Sequence, residues 1–253
     1  MNAEDNFKES EVETLYRNNN HFWFRHRNKI ILDIIEKYLK EAKDGIRILE
    51  LGAGSGNISR FLKSKGYNVD ASDVYKTAID YFKNDVDNAF VFDLLSDKAP
   101  DNMSHRYDFV ILGDVLEHLD DPVSALERTK VFLRPKGYIV ITVPALMQLW
   151  GDYDEYYGHK RRYNKKSLEN ELIESGYSLE EIKYFMFLPS LFLFFQRKVK
   201  PIARGKSRTI FKELNINDFL NRIMHVLMLI EYVVGKTVDY SFGSSILLIG
   251  KNQ

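Results

Sequence analysis

The sequence predicts an α/β domain with a mostly parallel sheet and helices on both faces. Three observations carry that expectation. Short apolar segments alternate with helical stripes from Arg47 to Val143. The first of them runs straight into a glycine-rich turn, Gly52-Ala53-Gly54-Ser55-Gly56. The last, Ser244–Gly250, has no crossover helix just ahead of it and suits an antiparallel place at a sheet edge.

The elements follow in order. Met1 to Asn20 is polar and reads as a loose or helical lead-in. Arg27 to Leu39 carries Ile30, Ile31, Ile34, Ile35 and Tyr38, a helical stripe. Arg47–Leu51 is a strand, and Asn57–Lys65 a helix that turns Ile58, Phe61 and Leu62 inward and stops at Gly66. Asn68–Val74 is a strand, Tyr75–Lys83 a helix, and Ala89–Leu95 and Tyr107–Leu112 are strands. Asp121–Leu133 is a helix capped by Asp121 with Pro122 in its first position. Gly137–Val143 is a strand rich in Ile and Val. Beyond it come a helix at Ser167–Ser175, a strand at Tyr177–Met186, and two apolar helical stretches, Leu188–Val199 and Phe219–Val234. One domain over 1–253 is expected, with 1–45 as an N-terminal cap and 146–240 as a substrate lid and helical insertion.

Composition narrows the function. Basic and acidic residues number 36 each, so the net charge is zero and a polyanion such as nucleic acid is a poor partner. Cysteine is absent, which excludes disulfides, thiolate metal sites and thiol nucleophiles. No metal ligand cluster stands at fitting spacing, since Asp121 is explained as a helix cap. Met1 to Ser10 is acidic, unlike a secretory signal, and a cytoplasmic protein is expected.

The glycine turn follows a strand and opens a helix, a context in which the backbone can approach a ligand closely. Asp73 lies at the end of the next strand, where a carboxylate can accept hydrogen bonds from ribose hydroxyls. A dinucleotide fingerprint would need glycine where Asn57 stands. Glu50, at the strand end, would be unfavourable beside a pyrophosphate and suits a cationic amino-acid moiety.

The run Glu50-Leu51-Gly52-Ala53-Gly54-Ser55-Gly56 resembles the first signature of class I S-adenosylmethionine-dependent methyltransferases. Phe90 to Leu95, Tyr107 to Leu119 and Leu133 to Ile141 resemble later signatures of the same family, in order, over roughly residues 45 to 145. The resemblance implies a Rossmann-like, seven-stranded, mostly parallel sheet with an antiparallel edge hairpin, and S-adenosylmethionine as cofactor. It implies a cofactor site of Arg27, Glu50, Gly52, Ala53, Gly54, Gly56, Asp73, Val74, Asp93, Leu94 and Gly113, with Asp93 at the adenine amino group. Arg27 has two readings: a partner for the cofactor carboxylate, or for a structural Asp or Glu.

Several subclasses are set aside. The tetrapeptide of base-amine methylases is replaced by Gly113-Asp114-Val115-Leu116, and cytosine-C5 methylases need the missing cysteine. Arginine methylases use two glutamates in a hairpin loop, where only Glu117 stands, beside His118; that pair reads as scaffold before catalysis. The segments His21–Arg27 and Trp150–Tyr163 resemble a small-molecule branch that includes ubiquinone-type O-methyltransferases and polysaccharide-pathway relatives. The first also reads as an aromatic cluster pinning the N-terminal helix. The second reads as an aromatic lid, with His159 as general base and Trp150, Arg162 and Tyr163 as acceptor contacts. Lys160, Arg161 and Arg162 would meet a phosphate or carboxylate. The expected activity is methyl transfer to a small-molecule acceptor at oxygen, sugar-derived or lipid-linked. A nicotinamide-dependent oxidoreductase and a non-catalytic S-adenosylmethionine-binding module are the alternatives. The apolar 185–199 and 219–234 segments either pack on each other and the sheet edge or lie against the inner face of a membrane.

Overall fold

The computed structural model describes residues 16, 19–39, 45–199 and 216–253. Most of the polar lead-in, Met1 to Asn20, lies outside the described residues. Five strands run parallel: β1 (Arg47–Leu51), β2 (Asn68–Asp73), β3 (Asn88–Val91), β4 (Tyr107–Gly113) and β5 (Leu133–Pro144). β7 (Ser245–Asn252) lies antiparallel between β5 and β6 (Tyr177–Phe185). The sheet order is β3-β2-β1-β4-β5-β7-β6. This is the mostly parallel sheet with an antiparallel edge that the sequence implies.

Helices cover both faces. Their chain order is α1 (Phe22–Tyr38), α2 (Asn57–Ser64), α3 (Lys76–Phe82), α4 (Pro122–Thr129), α5 (Asp152–Tyr156), α6 (Lys165–Glu174), α7 (Phe187–Val199) and α8 (Asp218–Val234). Successive strand residues point to opposite faces, and the core divides accordingly. Ile48, Phe109 and Val140 meet the Ile30-Ile31-Ile34-Ile35 stripe of α1 and Ile58 and Leu62 of α2. Leu49, Val110 and Ile139 meet Leu126 of α4 and Leu168 and Leu172 of α6 on the other side. Each such buried side chain contributes about 1.5–3 kcal/mol.

Five boundaries differ clearly from the sequence expectation. α1 starts at Phe22 rather than Arg27, because the His21 side chain accepts the Trp23 N–H at 3.3 Å and caps it. The aromatic segment therefore forms the first turns of α1 itself. β3 ends at Val91 rather than Leu95: Asp93 accepts the Leu95 N–H at 2.8 Å and turns the chain. α4 ends at Thr129, and β5 begins already at Leu133, ahead of Gly137. α6 starts at Lys165, capped by Asn164.

The two apolar stretches are helices, as expected. Glu231 of α8 is buried and accepts the Phe187 and Leu188 N–H groups at 2.9 and 3.0 Å, so α8 caps the start of α7. His26 of α1 lies 3.6 Å from the same carboxylate. Among the described residues no helix is long and apolar enough to cross a membrane.

Candidate active site

A cavity of about 620 Å³ opens at the C-terminal ends of β1, β2 and β4, where ligands bind in open α/β sheets. Its floor is the glycine turn. Gly52 has φ +73, and a Cβ there would lie 2.7 Å from Val115. Side chains are thus excluded both by backbone conformation and by space. Asp73 draws the turn onto β2 by accepting the Gly54 N–H at 2.8 Å, and its other oxygen accepts the Tyr75 N–H at 3.0 Å. Beyond it Val74, Phe92, Leu94 and Leu95 line an apolar part of the wall beside Asp93. The hydrogen bond from Leu95 holds the Asp93 carboxyl below its usual range, so it is ionised.

Glu50 stands at the other side of the turn, only 2% exposed. Its Oε2 accepts the Ser59 N–H at 2.8 Å and the Ser59 hydroxyl, which ties β1 to the first turn of α2. Burial pushes the Glu50 carboxyl up to about 7, against the Ser59 bonds that favour its ionised form. Arg27 reaches the same wall from α1. It donates to Asp114 at 2.6 Å and lies under the Trp23 ring at 4.8 Å. The structural carboxylate foreseen for Arg27 is therefore Asp114. Its Nε is buried without a hydrogen-bond partner.

At the acceptor end His159 lines the cavity. Its Nδ1 lies 2.9 Å from Asp154 Oδ1. Asp154 is wholly buried and also accepts from Arg162 Nε at 2.8 Å and Gly151 N–H at 2.8 Å. Burial would raise the Asp154 carboxyl, but the His159 hydrogen bond and the Arg162 charge hold it below its ordinary range. An ionised partner fixes the proton on Nδ1 and leaves Nε2 as the basic nitrogen. His118 meets the His159 ring edge-on at 4.7 Å. Burial, then the neighbouring His159, push His118 down to about 4, so it is neutral at pH 7. Glu117 is fully buried on the cavity wall, with no hydrogen-bond partner for either oxygen. Burial and the Asp114 charge push it well above the carboxylate range.

Of the residues singled out from sequence, Arg27, Glu50, Gly52, Ala53, Gly54, Asp73, Val74, Asp93, Leu94, Gly113 and His159 line this one cavity. Four do not, and those expectations are corrected. Gly56 has φ +69 and packs on Phe82, so its glycine serves the turn and not a ligand. Tyr163 is 2% exposed in the core, sewn to the end of β5 by Leu146 N–H at 2.8 Å and Pro144 O at 2.9 Å. That pairing turns the Arg162 side chain to Asp154 and the Ala145 carbonyl. Trp150 is half-buried outside the wall. The expected anion-binding cluster is also spent: Lys160 pairs with Asp120, and Arg161 donates to the Leu119 carbonyl at 2.8 Å.

Asp154, Glu117 as a wall residue, and Asp114 as the partner of Arg27 escaped sequence reading. Asp154 stands three residues after Gly151 at the start of α5, which marks it as a cap rather than a histidine partner. Glu117, His118 and His159 each bring one ligating atom within 4.8 Å of the others, a set that can hold a divalent cation. Sequence spacing had shown no such cluster, because the third member arrives from the segment after β5.

A family model described as a methyltransferase domain matches residues 23–182, more than half of the chain. The chain belongs to this family of S-adenosylmethionine-dependent methyltransferases. The methyltransferase is 26% identical over 120 residues to the ubiquinone biosynthesis O-methyltransferase of Alkalilimnicola ehrlichii, covering 46% of this chain and 48% of that protein. It is 29% identical over 116 residues to the Rickettsia typhi protein of the same name, covering 43% and 46%. The match thus spans about half the length of these curated relatives. Among solved structures, an S-adenosylmethionine-dependent methyltransferase from Archaeoglobus fulgidus superposes with a TM-score of 0.54 at 18% identity, covering 89% of this chain and 94% of that one. These structural likenesses show the fold. The cofactor of the methyltransferase is S-adenosylmethionine, and the cavity fits it: a glycine cradle that a Cβ would fill, a buried carboxyl raised to about 7 that a cation would ionise, and a buried Arg27 Nε lacking a partner.

Proposed function

We propose that the enzyme methylates an oxygen of a small-molecule acceptor, sugar-derived or lipid-linked, in the cytoplasm, with His159 as general base. The observation that carries this reading is the Asp154–His159 contact of 2.9 Å on the wall of the cofactor cavity. Bound S-adenosylmethionine would supply an activated methyl group on a sulfonium centre. Asp73 would hold its ribose hydroxyls, Asp93 its adenine amino group, and Glu50 and Arg27 its amino-acid end. Gly52, Ala53, Gly54 and Gly113 give it close backbone approach, and Val74 and Leu94 an apolar wall. An acceptor hydroxyl gives its proton to His159 Nε2, and the resulting imidazolium is stabilised by the ionised Asp154. Neutral His118 adds no positive charge that would discourage this protonation. Arg162 positions Asp154 rather than the acceptor. The name of the ubiquinone-type relatives supports oxygen as the atom methylated.

Labelled-methyl transfer to quinol, sugar and lipid acceptors is the test. Transfer to a hydroxyl that is lost in His159→Ala while cofactor binding persists is the expected result; full turnover in that variant would remove the base. The Glu117-His118-His159 set favours a second reading, in which a divalent cation acidifies the acceptor hydroxyl. Activity that survives exhaustive chelation would exclude it, and activity restored only by added metal would establish it.

A further inference from the structure

We propose that the outer face of α7 and α8 docks on an anionic lipid bilayer and holds the cavity mouth at the membrane surface. This goes beyond the methyl-transfer reading and does not depend on it. α8 is fixed inward by Met228 and Glu231, both buried. Outward it presents Phe219, Ile223, Val226, Ile230 and Val233, with Phe219 74% and Val233 65% exposed. Phe192 and Phe195 of α7 are each 67% exposed as well. Single exposed apolar residues are ordinary on a protein surface, but a run of them along two packed helices marks an interaction face.

The composition of that face selects its occupant. A helical partner would need a narrow seam flanked by charged residues. Here Leu220, Leu229 and Val234 are exposed too, so the apolar face of α8 is wider than such a seam. A broad apolar face on a helix too short and too amphipathic to span suits the boundary between acyl chains and headgroups. Charge agrees. Arg222 is exposed on α8 itself. The chain that joins α7 to α8 carries Lys200, Arg204, Lys206, Arg208 and Lys212 in its sequence against one acid, Glu213. In sequence that basic run directly follows α7 and precedes α8, in a protein whose net charge is zero. Apolar insertion and basic attraction are the two signals that peripheral binding requires together.

The face also sits beside the reaction cavity. Asn221 of α8 accepts the Phe22 N–H at 2.8 Å, and its amide donates to the Asn20 carbonyl at 3.0 Å. The next residues of α1, Trp23, Phe24 and Arg27, line the cavity. An acceptor dissolved in or tethered to the bilayer would reach the cavity without crossing open water.

Flotation of the full chain tests this without any turnover. It is expected to float with phosphatidylcholine vesicles containing phosphatidylglycerol at low salt, and to be released by high salt. It is expected to remain at the bottom with phosphatidylcholine alone. Ile230→Asp with Phe195→Ser is expected to cut the bound fraction roughly tenfold or more while cofactor binding stays unchanged. Val226→Ser alone gives a milder version should the double variant lose its fold. Wild-type protein that stays soluble with both vesicles overturns the proposal, as does a folded double variant that floats equally well. Sedimentation as a dimer that Ile230→Asp dissociates, with no flotation, would assign the face to a second copy and also overturn it.

Discussion

The cofactor end and the acceptor end of the cavity are built in different ways. At the cofactor end, Glu50, Asp73 and Gly113 sit at the C-terminal ends of parallel strands, and each is held by backbone groups within one β-α unit or its neighbour. At the acceptor end, His159 depends on Asp154, Asp154 on Arg162, and the position of Arg162 on the pairing of Tyr163 with the end of β5. One half is set by local chain geometry and the other by a relay of side chains. The relay concentrates function in few contacts, so the largest expected losses lie there.

Removal of the base is expected to cost most. His159→Ala should lower turnover by roughly 10²–10⁴ with cofactor affinity intact, measured by labelled-methyl transfer and calorimetry. Asp154→Asn should fall in the same direction, because the imidazolium loses its ionised partner; turnover equal to wild type in a folded variant would detach Asp154 from the relay. At the other end, Asp73→Ala should weaken S-adenosylmethionine binding by about 1.5–3 kcal/mol, the scale of charge-assisted hydrogen bonds. Calorimetry showing full affinity in a folded variant would leave Asp73 as a brace for the glycine turn alone.

Glu50 sharpens the comparison through pH. Its folded-state pKa, about 7, lies above the ordinary 4.5. The unliganded fold is therefore favoured by the protonated carboxyl; that contribution is complete below 4.5 and is lost as pH rises through about 7. A cationic ligand prefers the ionised form. Cofactor affinity is expected to rise roughly three- to tenfold as pH increases across 7, and Glu50→Gln should flatten that rise while increasing the melting temperature of the unliganded protein at alkaline pH. Affinity independent of pH would place Glu50 outside the cationic end. The smallest effect is expected for Tyr163→Phe: its hydroxyl donates to the Leu116 carbonyl at 3.4 Å and also meets the Glu171 carboxyl, bonds worth about 0.5–1.5 kcal/mol of stability each, and the acceptor KM should not move. A large rise in that KM would return Tyr163 to the acceptor site.

The same contrast explains what the sequence disclosed. The glycine turn, Asp73 and the alternation of strand and helix follow from strand ends and turn residues, which are local and periodic; the seven-stranded sheet is what the family resemblance implies. Glu117 reads from sequence as scaffold beside His118, and only packing shows that its carboxyl reaches the cavity wall. Arg162 and Tyr163 share a segment with His159, yet they face elsewhere, because a bridge from Ala145 to Tyr163 turns Tyr163 into the core and Arg162 to Asp154. His21 as the cap of α1 was hidden for another reason: histidine is not among the residues that usually announce a helix start.

The position of β7 has a consequence for how the molecule is made. β5 pairs with β4 on one side only, and the place between its other edge and β6 is filled by β7, which follows them in the chain after the whole α7–α8 region. On the ribosome, two strands with open edges must wait for a third that has not yet been synthesised. Their unpaired backbone groups stay available to other chains during that interval. Nascent chains arrested before Ser245 should accordingly recruit chaperones and resist compaction, whereas the half of the sheet built from β1 to β4 can assemble as it emerges.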